Sequence, residues 1–123
     1  MESPVNRKIV VAGLLLAGLW LGGCDALRAR RGPTAEAFVN RAEMYQRAGL
    51  LDSALVAFEL ALEQNPRMVD AHVGLGDIYH VRGDYQTAAM RYDTARQLEP
   101  RNFKANYKLG LMYHLMQRLS DAV

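Results

Sequence analysis

The sequence predicts an all-α fold built from paired helices, and the main evidence is a period of 34 residues. A fixed period of this length is typical of proteins made of stacked structural repeats. Within each period, small and apolar residues stand at spacings of i, i+3, i+4 and i+7, which places them on one face of a helix. The residues that recur at the 34-residue interval are Tyr45, Tyr79 and Tyr113, Ala54, Ala88 and Ala122, and Pro66 and Pro100.

Local signals place the boundaries of each helix. Gly49 and Gly83 suit the left-handed residue that ends a helix, and Pro66 and Pro100 prevent the following helix from continuing. The pattern therefore predicts helices near residues 35–48, 51–64, 69–82, 85–98 and 103–116, with a sixth beginning near Leu119.

Two glycines inside the predicted helices indicate close packing between helices. Gly76 and Gly110 lie 34 residues apart, each three residues before a recurring tyrosine. A glycine inside a helix costs about 1 kcal/mol relative to alanine. We therefore expect a neighbouring helix to approach each of them closely.

The second unit resembles the tetratricopeptide repeat, whose pattern is W-x2-L-G-x2-Y, then A-x3-F, then P. The first unit departs from the pattern at Arg41, where an apolar residue is usual. The resemblance implies a solenoid of αα-hairpins wound into a right-handed superhelix over residues 35–123, with repeats 35–68, 69–102 and a partial 103–123. The residues of the second unit that carry it are His72, Leu75, Gly76, Tyr79, Ala88, Tyr92, Ala95 and Pro100.

The third unit lacks most of its second helix. We expect the chain to be a fragment of a longer array, because the end of a solenoid requires a polar capping face. The alternatives are self-association through this open C-terminal end, or a partner that covers it.

The first 23 residues have the organisation of a secretory signal peptide, in which we expect one helix. Arg7 and Lys8 precede an apolar run of 13 residues, Ile9 to Leu21, and two glycines follow it. The run is shorter than the ~20 apolar residues that a membrane-spanning helix needs. An uncleaved membrane helix is therefore the less favoured interpretation.

Leu21-Gly22-Gly23-Cys24 resembles the lipobox of bacterial lipoproteins. The resemblance implies cleavage before Cys24, a lipid on its sulfur, and a linker over residues 24–34. It also implies a location in the bacterial cell envelope, anchored to a membrane and facing the periplasm. Asp25 favours the inner membrane. The alternative is an ordinary signal peptide in which Cys24 has no such role.

Charge and motifs exclude several classes of function. The net charge of +2 is too small to indicate nucleic-acid binding. No catalytic arrangement or phosphate-binding glycine loop is found, so we expect neither an enzyme nor a cofactor. His80 and His114 are equivalent residues on successive units, but too few other ligands accompany them to predict a metal site.

In proteins that resemble this one, the first helix of each repeat lines a ligand-binding groove. Lys104 and Lys108 match two positions of the carboxylate clamp that binds chaperone C-termini, but Val39 and Glu43 stand where the clamp needs Lys and Asn, so chaperone binding is not expected. The charges run from acidic to basic along the groove, which favours an extended peptide. The predicted groove residues are Val39, Glu43, Asp70, Val73, Asp77, His80, Lys104, Tyr107, Lys108, Leu111 and His114.

The sequence thus leads to one main hypothesis: a non-catalytic, lipid-anchored envelope protein that acts as a scaffold or assembly factor by binding a protein or peptide. The alternative is the repeat-containing front of a larger enzyme or envelope machine whose catalytic part lies beyond residue 123.

Overall fold

The computed structural model describes residues 32–123. The predicted signal peptide, Cys24 and most of the predicted linker lie outside the described residues. The described chain is all-α, as the sequence predicts, and none of its helices is long and apolar enough to cross a bilayer. Its helices are α1 (Ala35–Arg47), α2 (Leu51–Gln64), α3 (Val69–Val81), α4 (Tyr85–Leu98) and α5 (Phe103–Asp121).

Glycine ends the first helix of each complete hairpin. Gly49 and Gly83 have φ values of 75° and 79°, a left-handed conformation that disfavours any residue with a Cβ. Leu50 N donates to Tyr45 O at 2.9 Å, and Asp84 N donates to Tyr79 O at 3.0 Å. Together with the bonds from the two glycine amides, these form the Schellman arrangement that ends α1 and α3.

Side chains cap the N-termini of three helices. Thr34 Oγ1 accepts from Ala37 N at 3.2 Å. Asn102 Oδ1 accepts from Ala105 N at 2.9 Å. Asp84 plays the same part for α4. Each cap satisfies an amide that has no partner within its helix.

The turns that join successive hairpins are held by one hydrogen bond that repeats with the 34-residue period. His72 Nε2 lies 2.9 Å from Pro66 O, and Asn106 Nδ2 donates to Pro100 O at 2.9 Å. A histidine and an asparagine thus perform the same task at equivalent positions. The proline ends one helix, and its carbonyl orients the next.

The fifth helix is longer than the sequence predicts. It continues to Asp121, so Leu119 lies inside α5 and the predicted sixth helix is not seen in the described residues. The reason is at residue 117, which is equivalent to Gly49 and Gly83 but holds Gln117. Without a residue suited to the left-handed conformation, nothing ends the helix there.

The core consists of two clusters of buried side chains. The first lies between α1, α2 and α3, and the second between α3, α4 and α5. Tyr79 packs against both. The largest fully buried side chains are Tyr92, Phe58, Leu75, Ile78 and Met112. Each hairpin therefore packs against the next, which is the organisation of a solenoid.

Candidate protein-binding groove

The first helices of the three units are neighbours in the structure. Helix α1 contacts α3, and α3 is linked to α5 through Asp77 and Lys108. These helices carry all the predicted groove residues. The members of that set with exposed side chains are Glu43, Asp70, Lys104, Tyr107 and His114.

Two of the predicted groove residues contribute mainly to the core. Val39 is only 6% exposed and belongs to the first cluster, while Val73 is 3% exposed and belongs to the second. Little of either side chain remains for a ligand. Tyr107, at the equivalent position on α5, is 62% exposed. At this position the groove therefore offers a large side chain only in its third unit.

Asp77 joins the second hairpin to α5. Its Oδ1 atom accepts a hydrogen bond from the Tyr92 hydroxyl of α4 at 2.6 Å. The same oxygen forms an ion pair with Nζ of Lys108 on α5. The two charged side chains are only 21% and 24% exposed. Such shielding from water makes an ion pair stronger than it would be on an open surface.

The Tyr92 ring completes this junction. Lys108 Nζ lies 5.7 Å from the centre of the ring, within the range of a cation–π interaction. Burial, together with the hydrogen bond to Asp77, raises the pKa of the Tyr92 hydroxyl above its ordinary value. Tyr92 therefore stays protonated and acts as a donor to the carboxylate. We call Asp77, Tyr92 and Lys108 the Asp77 junction.

The remaining predicted residues have local partners. The His80 ring lies 5.9 Å from that of Tyr85, at the start of α4. Leu111 packs against the second core cluster. Within residues 32–123, no group of three or more His, Cys, Asp or Glu side chains is arranged to hold a metal ion.

Sequence reasoning missed the Asp77 junction. Asp77 and Lys108 are 31 residues apart, so they do not occupy the same position in successive units. The available signal was the pairing of one position of a first helix with another position of the next. Glu43 and Gly74 are the corresponding residues one unit earlier, so no ion pair can form there.

Comparison with known proteins identifies the hairpins. A tetratricopeptide-repeat profile matches residues 39–92, and a TPR-repeat profile matches residues 76–117. The hairpins are tetratricopeptide repeats. Such repeats are modules for protein–protein interaction. No curated protein matches the chain significantly.

Solved structures share the same fold. The TPR domain of Arabidopsis OM64 matches with a TM-score of 0.66 at 23% identity, covering 68% of this chain and 69% of its own. The first TPR of Spaghetti (RPAP3), solved bound to the HSP90 peptide SRMEEVD, gives 0.66 at 24% identity, covering 69% and 68%. YrrB, a TPR protein described with an unusual peptide-binding site, gives 0.67 at 23% identity and 76% coverage, and this chain covers 48% of YrrB.

The first tetratricopeptide repeat also carries a separate open cavity of about 420 Å³. Arg41 stands at its edge, with its guanidinium carbon 6.0 Å from the centre of the Phe38 ring. The equivalent residues of the next two repeats, Leu75 and Leu109, are buried. Arg41 therefore makes this outer face more polar than the faces between repeats. The cavity is lined by Phe38, Arg41, Tyr45, Asp52, Ser53, Val56, Ala57 and Leu60.

Proposed function

We propose that this tetratricopeptide array is a non-catalytic scaffold whose groove binds an extended segment of another protein. The charge distribution of the groove carries the proposal. Glu43 and Asp70 are exposed on the first two repeats, whereas Lys104 and His114 are exposed on the third. The charges at the Asp77 junction cancel one another between these ends. The groove therefore suits a segment that is basic at one end and acidic at the other.

Tyr107 supports the same proposal. It is 62% exposed on α5, and its ring stacks with that of Phe103 at 6.3 Å between centres. Exposed aromatic side chains often supply much of the binding energy at protein interfaces. We assign Tyr107 the role of the main apolar contact for the ligand, with Lys104 beside it on the same helix.

The proposed ligand differs from an acidic peptide of the kind bound to RPAP3. Lys108 is already paired with Asp77, which leaves Lys104 as the available lysine of the two. Val39 is buried, and Glu43 would repel a carboxylate. These features support a ligand with mixed charge over a purely acidic chaperone tail.

We also propose that the array is held at a membrane of the bacterial envelope by a lipid on Cys24. The support is the sequence Leu21-Gly22-Gly23-Cys24 after a positively charged and apolar start. Stable anchoring needs more than one acyl chain, which the lipoprotein pathway would supply. Asp25 supports the inner membrane, with the groove facing the periplasm.

Site-specific photo-crosslinking tests the groove. A photoreactive phenylalanine at position 107 should crosslink a protein partner in cells, whereas the same group at Met90, exposed on α4 and outside the predicted groove, should not. The charge reversals Asp70→Lys and Lys104→Glu should each weaken the crosslink at position 107. Equal crosslinking at both positions, or no effect of either reversal, would contradict the proposal.

Metabolic labelling with a fatty-acid analogue tests the anchor. The wild-type chain should incorporate the label and be cleaved before Cys24. The Cys24→Ala variant should remain unlabelled and uncleaved, while its groove still crosslinks. Persistent labelling of Cys24→Ala would overturn the lipid anchor without affecting the proposal for the groove.

A further inference from the structure

Gly110 on α5 lies on a surface that a helix covers in the preceding repeat. Gly110 and Gly76 are equivalent residues, 34 positions apart. A Cβ built on Gly76 would lie 2.5 Å from Cε1 of Tyr92, so the tyrosine ring fills the space above that glycine. Around Gly110, no described residue lies within 4 Å of a Cβ built in the same way. The same gap exists in both helices, but in α5 it is open.

The residues around this gap form a continuous stripe. Phe103 is 81% exposed and Tyr113 is 56% exposed, on either side of Gly110. Alternating intervals of three and four residues place the members of the stripe on one side of α5, the spacing with which helices pack against one another. We call this stripe the Gly110 face; it comprises Phe103, Asn106, Gly110, Tyr113 and Gln117.

The covering helices of this protein indicate what such a face accepts. On α4, Tyr92 is flanked by Ala88 four residues before it and Ala95 three residues after it, and all three are fully buried. On α2, Phe58 is flanked in the same way by Ala54 and Ala61, again buried. In both cases an aromatic ring enters the space above a glycine, and the alanines let the backbones approach.

Charge indicates the sign of the helix that would fit. In the second repeat, α3 carries two aspartates and no Lys or Arg, and its covering helix α4 carries two arginines and one aspartate. Helix α5 has the opposite sign, with Lys104, Lys108 and Arg118 against Asp121. A second copy of α5 would therefore bring like charges together, whereas an acidic helix would be attracted.

We propose that the Gly110 face docks an acidic amphipathic helix of a partner protein, in which a Phe or Tyr is flanked by alanines in the pattern Ala-x3-Phe/Tyr-x2-Ala. The aromatic ring enters the gap above Gly110, and acidic residues lie towards Arg118. This site is separate from the groove and does not depend on the proposed groove ligand.

The sequence of α2 supplies a probe with this chemistry. Residues 51–64 contain Ala54, Phe58 and Ala61 and three acidic side chains without a basic one. A fluorescent peptide of these 14 residues is titrated with the purified full chain and followed by anisotropy. We expect saturable binding and a gain of helical circular dichroism, because so short a helix is marginal on its own.

Matched variants separate the proposal from unspecific apolar contact. Gly110→Leu in the protein and Phe58→Ala in the peptide should each weaken binding by about tenfold or more. Met90→Leu, on an exposed part of α4, should leave binding unchanged. Asp70→Lys should also leave it unchanged, because that residue belongs to the groove. Circular dichroism of Gly110→Leu checks that the variant folds, as the open space around Gly110 predicts.

Several outcomes would overturn the proposal. One is the absence of saturable binding, and another is unchanged affinity in a folded Gly110→Leu variant. A peptide in which the three acids are replaced by lysine should bind less well, so equal binding would also count against it. If sedimentation shows that the chain dimerises and that Gly110→Leu abolishes the dimer, a second copy occupies the face instead.

Discussion

The ring of Tyr92 fills the space in which a side chain on Gly76 would begin. A Cβ at position 76 would lie 2.5 Å from Tyr92 Cε1 and 2.7 Å from Cδ1. The ring is itself fully buried, so it cannot move aside without opening the core. This contact explains why α3 keeps a glycine near its middle in spite of the cost to helix stability.

Alanine substitutions at two equivalent glycines should have opposite effects. Gly76→Ala should lower the free energy of unfolding by about 1–3 kcal/mol, because the added methyl group overpacks the contact with Tyr92. Gly110→Ala meets no neighbour and should raise it by up to about 1 kcal/mol through better helix propensity. Urea denaturation of the two variants measures both. Changes of the same sign would contradict the described packing.

The Asp77 junction should stabilise the contact between the second and third repeats. Lys108→Met leaves the Asp77 carboxylate with only the Tyr92 hydroxyl among its described partners, and should cost about 1–3 kcal/mol. Lys104→Met is the matched control, since that lysine is exposed on the same helix and should change stability by less than about 0.5 kcal/mol. Thermal unfolding compares them. Equal losses would mean that the ion pair contributes nothing.

Tyr92 should make the protein sensitive to alkaline pH. Its pKa is raised by burial and by Asp77, whereas a tyrosine in the unfolded chain ionises near pH 10. The folded state then holds one proton more, so stability is fully present below about pH 10 and falls as the pH rises further. Tyr92→Phe removes this term. Its melting temperature should decline less steeply above pH 10 than that of the wild type, whereas Tyr107→Phe should follow the wild type.

Asp84 should have the opposite dependence at acidic pH. Its side chain accepts from the amide and the hydroxyl of Thr87, which lowers its pKa below the ordinary value of 3.8. The contribution of this ionised cap is therefore present above about pH 4 and is lost as the pH falls through the lowered pKa. Asp84→Asn keeps a capping oxygen that does not ionise. The advantage of the wild type over Asp84→Asn should shrink on acidification, and a constant difference would be the contrary result.

Local residues were enough to predict most of the fold. Gly49 and Gly83 end helices because few other residues adopt their conformation, and that requirement is visible in a single sequence. The same rule explains the error at α5. Gln117 stands where glycine would end the helix, but the alignment of Ala122 with Ala54 and Ala88 suggested a further helix all the same.

The candidate site was harder to predict because it depends on contacts between repeats. Phe58 and Tyr92 occupy equivalent positions, yet Phe58 packs over Gly74 of the next hairpin and Tyr92 packs over Gly76 of its own. Each ring lies where a Cβ is missing. The repeat pattern alone treats the two rings as equal, so it could not predict that only Tyr92 reaches an aspartate in the groove.

The central claim is that the hairpins stack in register and bring their first helices together. Nuclear Overhauser effects between the Gly74 Hα protons and the Phe58 ring test it most directly, because this contact joins the first hairpin to the second. Effects between the Gly76 Hα protons and the Tyr92 ring report the contact within the second hairpin. We expect both sets to be strong. If the Gly74 set is absent while the Gly76 set is present, the hairpins form but do not stack as described, and the groove does not exist.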